Sequence, residues 1–132
     1  MAMDRKGNLY VANTHECGGK TIVVYAPNST TPSRVITKGV SGPNALAFDS
    51  AGNLYVANIL HPAVTVYAPG STVPARTIKA PYPWDLTLDA ADNLYVANSA
   101  VCGCLQAYRK GRSTVWYTIS GLSPLAVAIG DP

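Results

Sequence analysis

Residues 49–58 read DSAGNLYVAN, and this decapeptide occurs in two more versions, DRKGNLYVAN at residues 4–13 and DAADNLYVAN at residues 89–98. Along the chain the copies start 45 and then 40 residues apart, counted from residue 4 to residue 49 and from there to residue 89. Repetition at this spacing indicates a protein that uses one supersecondary unit several times. The strand content of one unit therefore decides the fold.

Each unit contains four short runs rich in Val, Ile, Leu, Tyr and Thr, and turn residues bound every run. This pattern is typical of short β-strands, and no stretch has a helical period of useful length. In the second unit the runs, here named a, b, c and d, are 44–48, 53–58, 63–67 and 76–79. Four strands in about 40 residues are typical of one blade of a β-propeller.

The sequence therefore predicts an all-β fold, a β-propeller with three four-stranded blades in one domain that spans residues 1–132. The blades are expected at about 4–43, 44–83 and 84–123. A closing strand of the a type is expected at residues 124–130.

The link between runs a and b has a mechanical explanation. Asp49 can accept a hydrogen bond from the backbone N–H two residues on, and Gly52 can adopt the left-handed conformation that closes the turn. In the third unit Asp92 takes the glycine position, and Asp is among the residues that tolerate this conformation. The tyrosines at matching positions of the b runs are expected to pack between blades: Tyr10, Tyr55 and Tyr95.

The composition excludes several classes of protein. Of 132 residues, 48% are hydrophobic and 13% are charged, the reverse of an intrinsically disordered chain. The chain has a single Glu, too few for a coiled coil, and no run of about 18 apolar residues that would predict a membrane span. Residues 1–4 lack the apolar segment of a signal peptide, yet the many Thr, Ser, Pro, Asn and Gly residues favour a secreted or extracytoplasmic protein.

The triplicated D-x-x-G-N-L-Y-V-A-N motif resembles the NHL-repeat and SMP-30-like group of β-propellers over residues 4–131. It departs from the common NHL form by ending in Asn, where Asp is frequent. The motif is specific for the propeller class and unspecific for function. The resemblance implies a six-bladed ring.

Three blades do not close a ring, because propellers contain about four to eight blades. The open edges invite pairing with another chain, and two copies of this chain would supply six blades, so we expect a homodimer. Residues 125–129 would exchange and complete the first blade of the partner copy, where residues 2–3 form only a stub of strand a. The alternatives are a fragment of a longer six- or seven-bladed protein, another kind of oligomer and a fold other than a propeller.

A candidate site lies on the propeller face that carries the b–c and d–a links, where both histidines, all three cysteines and the only glutamate fall. Polar groups on loops above a rigid scaffold often bind ligands. The sequence therefore predicts a binding or scaffold module for a small molecule or a protein partner. The asparagines among its candidate residues have a structural alternative, because Asn often ends strands and caps turns. The candidate ligand-binding residues are Asn13, Asn58, Asn98, Trp84 and Asp85.

A metal-dependent hydrolase or lyase is the alternative function. The resemblance to SMP-30-like lactonases implies a divalent cation held by carboxylate and Asn ligands near the axis, and lyase-like propellers use His on the same face. The matching residues here are His15, Glu16 and His61, the candidate metal ligands, together with Asp85. The sequence has no H-x-H or H-x-x-E-H pattern and no two carboxylates at a spacing that indicates catalysis. No catalytic residue is assigned, and no cofactor other than a divalent cation is considered.

Three cysteines, Cys17, Cys102 and Cys104, are too few for a disulfide framework. Cys17 and Cys102 each lie four residues after the repeat Asn, in blades that a six-bladed dimer would bring together. Four alternatives stay open: a cross-chain disulfide from Cys17 to Cys102 or Cys104, free thiols, a metal site, and a strained bond between Cys102 and Cys104.

The net charge of +3 does not by itself indicate nucleic-acid binding. Five basic residues fall in the a–b and c–d links, on the face opposite the histidines, without interleaved aromatic residues. They are interpreted as solvated turn charges, and no nucleic-acid partner is expected: Arg5, Lys6, Arg109, Lys110 and Arg112.

Overall fold

The computed structural model describes residues 1–13, 19–98 and 103–120. These residues form three antiparallel sheets of four strands, and each sheet takes its strands in chain order. The first sheet contains β1 (Ala2–Met3), β2 (Leu9–Asn13), β3 (Thr21–Tyr25) and β4 (Pro32–Ile36). The second contains β5 (Pro43–Phe48), β6 (Leu54–Asn58), β7 (Ala63–Tyr67) and β8 (Pro74–Lys79). The third contains β9 (Pro83–Leu88), β10 (Leu94–Asn98), β11 (Cys104–Tyr108) and β12 (Val115–Ile119).

The described fold is all-β, as predicted, and every sheet has the a–b–c–d strand order of a propeller blade. In the second sheet the strands match the predicted runs closely, except that strand d begins at Pro74, two residues early. Pro74 pairs with Tyr67 beyond a register shift in β7. A proline is tolerated there because β8 is the outermost strand of its sheet. The predicted closing strand, residues 124–130, lies outside the described residues.

The turn between β5 and β6 has the geometry that its sequence predicts. Oδ1 of Asp49 accepts hydrogen bonds from the backbone N–H groups of Ala51 at 3.0 Å and Asn53 at 2.9 Å. Oδ2 accepts one from the Asn53 side chain at 2.8 Å. Gly52 has a φ of 87° and Asp92, its counterpart in the third sheet, has a φ of 64°, so both are left-handed. The role of these aspartates as turn formers is therefore confirmed.

Two hydrophobic cores fill the spaces between neighbouring sheets. The core between the first and second sheets contains the buried side chains of Tyr10, Ile22, Ile36, Leu54, Val56 and Tyr67. The core between the second and third sheets contains those of Tyr55, Val64, Ile78, Leu86, Val96 and Tyr108. Tyr10 and Tyr55 thus pack between sheets, as predicted. Tyr95 is on the outer face of the third sheet and is half-buried.

The first strands of the three sheets lie side by side, since β5 packs against β9 and β1 packs against β5. This is the arrangement of propeller blades around a central channel. Within the described part of the chain, no helix has the length and apolar character that crossing a membrane requires.

Candidate functional site

Candidate sites lie at the two opposite ends of the strands. The loop face is the end that carries the links at residues 37–42, 59–62 and 80–82. The turn face is the opposite end, which carries the turns at residues 4–8, 49–53 and 89–93. The candidate ligand-binding residues predicted from the sequence lie at the loop face.

Asn58 ends β6 and is almost fully buried, with 1% of its surface exposed. Its Oδ1 accepts a hydrogen bond from the backbone N–H of Ser41 at 2.9 Å, and its Nδ2 donates to Oγ1 of Thr65 at 2.9 Å. Oγ1 of Thr65 donates in turn to the Gly39 carbonyl at 3.0 Å. The amide therefore fastens the link at residues 37–42 to the second sheet.

Asn98 makes the same kind of connection in the third sheet. Its Oδ1 accepts a hydrogen bond from the backbone N–H of Tyr82 at 3.2 Å, and its Nδ2 donates to Oε1 of Gln106 at 3.1 Å. Asn13, the first copy, is exposed at the end of β2. The two buried asparagines thus fasten links to the sheets, whereas the Asn13 side chain is exposed to solvent. Ligand binding by the three amides stays a prediction.

Trp84 and Asp85 are half-buried near the start of β9. The Trp84 ring stacks on Tyr82 with the centroids 6.3 Å apart. The Trp84 carbonyl accepts a hydrogen bond from Nδ2 of Asn44 at 2.6 Å, which joins the first strands of the second and third sheets. Oδ1 of Asp85 accepts a hydrogen bond from the backbone N–H of Leu86 at 2.9 Å. The structure therefore places a stacked aromatic pair at the loop face and Asp85 next to it along β9.

Of the three candidate metal ligands, His61 lies among the described residues, as does Asp85, whereas His15 and Glu16 lie outside them. His61 is exposed, its Nδ1 lies 2.7 Å from Oγ of Ser41, and it lines a shallow pocket of about 290 Å³. Within the residues that the structure describes, no three His, Cys, Asp or Glu side chains are grouped as a metal site requires. A metal site that includes the other two residues stays a prediction.

Cys104 begins β11, opposite the end of β10, and is buried. It is disulfide-bonded, so the free-thiol alternative does not apply to this residue. Cys17 and Cys102, the other two candidates, lie outside the described residues. Because the structure contains one chain, the bond of Cys104 lies within that chain and not between two copies.

A larger cavity lies at the turn face, where the sequence predicts no ligand site. It is a cleft of about 620 Å³ lined by residues of all three sheets. Arg5 and Lys6, two of the basic turn residues, are in its lining. Two others have partners within the chain: the Arg109 guanidinium lies 4.2 Å from the centroid of the Trp116 ring, and Lys110 forms an ion pair with an aspartate of the turn face.

An arginine on the outermost strand of each of the first two sheets contacts a repeat tyrosine. Nη2 of Arg76 donates a hydrogen bond to the Tyr55 hydroxyl at 3.2 Å, and Arg34 makes the same bond to Tyr10. Burial raises the pKa of both tyrosines, and the charge of the adjacent arginine opposes that rise. Tyr117 has the matching position in the third sheet. The sequence indicates these pairs only in that Arg34 and Arg76 occupy the same position of run d in their repeats.

Three four-stranded antiparallel sheets with their first strands side by side define a β-propeller-like fold. Among solved structures, the chain is similar to the hydrazine synthase of Kuenenia stuttgartiensis, a protein that contains a β-propeller, with a TM-score of 0.81 at 20% sequence identity. The match covers 94% of this chain and 36% of that chain, so this chain spans little more than a third of the length of its structural neighbour.

At this level of identity the likeness concerns the fold alone. No family model matches the sequence, and no curated protein matches it. The resemblance to NHL repeats therefore rests on the decapeptide motif.

Proposed function

We propose that this chain is half of a six-bladed β-propeller, that a second copy completes the ring, and that the ring binds a small molecule or a protein partner at its loop face. The observation that carries the proposal is a pair of uncovered sheet faces at the two ends of the half-ring. Each uncovered face corresponds, by repeat position, to a face that is covered within the chain.

The outer face of the third sheet lacks the cover that the same face has in the other two sheets. Ile36 and Ile78 have matching positions in β4 and β8 and are 0% exposed, because the next sheet packs on them. Ile119 has that position in β12 and is 46% exposed. Tyr117, two residues earlier on the same face, is exposed as well. An uncovered apolar face of this kind favours association.

The front face of the first sheet is the counterpart. Tyr67 and Tyr108 are each 1% exposed, and each donates its hydroxyl to a carbonyl at the end of the preceding sheet, Lys38 at 2.5 Å and Lys79 at 3.2 Å. Tyr25 has the matching position in β3 and is half-buried. The third sheet of a second copy would offer Tyr25 both the apolar cover and the acceptor.

The backbone of the first sheet also has room for an added strand. Strand β1 pairs with residues 9 and 10 of β2, whereas β5 pairs along the whole of β6. Among the described strands, residues 11–13 of β2 are paired on the β3 side alone. An edge of this kind accepts another strand. It supports the exchange of residues 125–129, which lie outside the described residues.

The number of copies follows from the number of blades. One copy supplies three sheets and two copies supply six, within the range of about four to eight blades found in closed propellers, while three copies exceed it. The two uncovered faces, the outer face of the third sheet and the front face of the first, are different surfaces. They correspond to the two kinds of face that pack against each other at each junction within the chain. The contact is therefore head-to-tail and forms a ring when its rotation closes.

The loop face is suited to binding because its links are held firmly. Asn58 and Asn98 are buried and fasten the links at residues 37–42 and 80–82 to the sheets beneath them. The stacked rings of Tyr82 and Trp84 stand on the same scaffold. Loops held by a rigid scaffold are the usual place of ligand contacts.

Light scattering after gel filtration tests the assembly. The chain has a mass of 13.8 kDa, and the proposal expects a particle of twice that mass. The Ile119→Asp variant is expected to be a folded monomer, because an unpaired carboxylate is unfavourable in a buried interface. Val73→Asp, at a residue 53% exposed in the link before β8, is the matched control and is expected to stay dimeric. A folded wild-type monomer would overturn the proposal.

A further inference from the structure

The outermost strand of the third sheet differs from its counterparts in the other two sheets. β4 and β8 begin with a proline, Pro32 and Pro74, and each proline pairs with the tyrosine that ends the neighbouring strand. Val115 has this position in β12. A proline removes an N–H donor from the strand, and prolines are one means by which sheet edges avoid further pairing. β12 lacks that protection.

The charges of the outermost strands give the same contrast. β4 contains Arg34, and β8 contains Arg76 and Lys79, whereas β12 has no charged residue. Charged side chains are a second means of protecting an edge. β12 also has more exposed large hydrophobic side chains than any other described strand: Val115, Trp116, Tyr117 and Ile119. Among the described strands β12 is paired with β11 alone, so its outer backbone edge is open to another strand.

The exposure of Trp116 is not explained by closure of the ring. The pairing of β11 with β12 shifts register between Ala107 and Tyr108, so Trp116 is the extra residue of a β-bulge. Ser33 and Ala75 have the same bulge position in β4 and β8, and both are exposed although the next sheet covers their own. A second copy would therefore leave Trp116 exposed. Tryptophan is a frequent anchor of protein interfaces, which favours a different partner at this position.

The turn before β12 carries positive charge. From β10 to the end of β12, the sequence has three basic residues and no Asp or Glu. Two aspartates of the same sheet lie at the turn face: Asp92 forms an ion pair with Lys110 at 3.5 Å, and Asp89 accepts hydrogen bonds from its own turn. Within the described part of the chain, the side chains of Arg109 and Arg112 have no ion pair and no hydrogen bond. Their charge favours an acidic partner.

We propose that the outer edge of β12 binds an extended acidic peptide, which adds to the third sheet as a further strand. In this mode of recognition the backbone hydrogen bonds supply affinity and the side-chain contacts supply specificity. Apolar side chains of the peptide would pack on Trp116, and a carboxylate at one end would accept hydrogen bonds from Arg109 or Arg112. This surface goes beyond the proposed function, because it lies at the outermost strand of one chain, away from the loop face.

Fluorescence anisotropy of a labelled peptide tests the binding. The probe is a short peptide of alternating Val and Thr with Glu residues at one end, made in two forms that carry the Glu residues at the amino or the carboxyl end. One control peptide has Lys in place of Glu, and another has Pro in place of Thr and so lacks alternate N–H donors. We expect saturable binding of at least one acidic form and weaker binding of both controls. Failure of both acidic forms would overturn the proposal, and equal binding of the lysine control would contradict an acidic partner.

Hydrogen exchange locates the bound peptide. We expect the acidic peptide to slow the exchange of amides in β12, because an added strand protects the edge. Exchange in β8 should stay the same, since that strand begins with proline and carries two charges. Slower exchange in both strands, or in neither, would contradict the assignment of the site to β12.

Val115→Pro is the variant that tests edge pairing, since it gives β12 the residue that begins β4 and β8. Those strands form with proline at this position, so we expect a folded chain that binds the acidic peptide at least about tenfold more weakly. Pro74→Ala, at the matching position of β8, is the matched control and should leave the affinity unchanged. Unchanged binding by folded Val115→Pro would overturn the added strand.

Side-chain variants test the two other contacts. Trp116→Ala gives the bulge the residue of the second sheet, Ala75, and should weaken binding by about tenfold. The double variant Arg109→Gln/Arg112→Gln should weaken binding of the acidic peptide by a similar factor, about tenfold, because charge-assisted hydrogen bonds are lost. Arg5→Gln, in a turn of the first sheet, is the charge control and should bind as the wild type does. No loss in the double variant would contradict recognition of acidic residues.

The ring and the peptide site can fail separately. The edge of β12 belongs to one chain, so Tyr25→Asp, which damages the front face of the first sheet, should be a monomer that binds the peptide as the wild type does. Loss of the wild-type dimer with retained peptide binding would overturn the ring alone, and a dimer that does not bind the peptide would overturn the edge alone. A wild-type particle heavier than the dimer, returned to dimer mass by Val115→Pro, would mean that another copy occupies the edge and would overturn the peptide site.

Discussion

At the scale of single residues, the aspartates that begin the first and third decapeptides, Asp4 and Asp89, are both turn formers and acids linked to folding. Burial opposes ionisation of Asp89, but hydrogen bonds from the backbone and side chain of Asn93, from Tyr95 and from Ala91 outweigh it. They lower the pKa of this carboxyl below its usual 3.8. Asp4 has a lowered pKa for the same balance of causes. The folded turn thus prefers the ionised acid.

This preference predicts a dependence of stability on pH. A group whose pKa is lower in the folded chain stabilises it above the unfolded value, here 3.8, and loses that effect as the pH falls through the folded value. We expect Asp89→Asn to be less stable than the wild type at neutral pH, with a difference that narrows below about pH 4. Urea unfolding from about pH 7 to about pH 2.5 measures it. A difference that is constant over this range would contradict the linkage.

Two glycines with similar backbone angles make a matched pair. Gly39 has a φ of 75° and Gly70 a φ of 73°. A Cβ at Gly70 meets nothing within 4 Å, whereas one at Gly39 would lie 2.7 Å from Cγ of Pro74 and 2.9 Å from the hydroxyl of Tyr67. We expect Gly70→Ala to cost about 1–2 kcal/mol from the left-handed backbone alone. Gly39→Ala should cost about 1–3 kcal/mol more because of overpacking.

Chemical denaturation of the two glycine variants provides the measurement. The decisive result is which variant loses more stability, because the backbone strain is nearly the same at both glycines. Equal losses would mean that the contacts around Gly39 relax without cost.

At the scale of elements, the strands could be predicted because a buried sheet face imposes an alternating pattern. Strand b of the second sheet was predicted at residues 53–58 and is observed at Leu54–Asn58. The start of strand d at Pro74 was missed, because proline weakens a strand prediction unless the strand is known to be outermost. Which strand is outermost depends on the order of the sheet, and that order is a property of the fold.

The environment of the repeat asparagines could not be predicted, because three identical LYVAN strands end in two different environments, buried for Asn58 and Asn98 and exposed for Asn13. Asn58 and Asn98 are buried by links from the preceding sheet, through Ser41 and Tyr82. Asn13 follows no such sheet within the chain and is exposed. Long-range packing therefore decides between a structural amide and an accessible one.

This difference predicts unequal effects of the same substitution. Asn58→Ala removes the acceptor of the Ser41 N–H and the donor to Thr65, and we expect it to cost about 1–3 kcal/mol. Asn13→Ala, at an exposed position, should change stability by less than about 0.5 kcal/mol. Thermal unfolding of the two variants side by side measures both. A large loss in Asn13→Ala would show that this residue makes a stabilising contact beyond the described residues.

The cleft of the turn face could not be predicted from the sequence for a related reason. Two of its lining residues stand where the repeat is broken: Gly52 replaces the aspartate of the third sheet, and Arg5 replaces the serine of the second. These changes are visible in the sequence. Their meaning depends on which turns face each other across a junction, and the structure supplies that.

At the scale of the whole molecule, association with a second copy links stability to concentration. A partner that binds the folded chain and not the unfolded one raises the melting temperature by mass action. We expect the melting temperature of the wild type to rise over a hundredfold increase in concentration, and that of Ile119→Asp to stay constant. Calorimetry at several concentrations measures this. A constant melting temperature for the wild type would mean that the copies do not stabilise each other.

The head-to-tail contact makes a sharper prediction, because each copy uses two different faces. Ile119→Asp damages the outer face of the third sheet, and Tyr25→Asp damages the front face of the first, so each variant alone should be a monomer. When the two are mixed, the intact outer face of the Tyr25→Asp chain meets the intact front face of the Ile119→Asp chain. We expect a heterodimer of about 27.6 kDa, twice the chain mass of 13.8 kDa, joined through one undamaged interface. A contact made by the same face of both copies would leave one of the two variants dimeric on its own, which light scattering of the mixed and separate variants distinguishes.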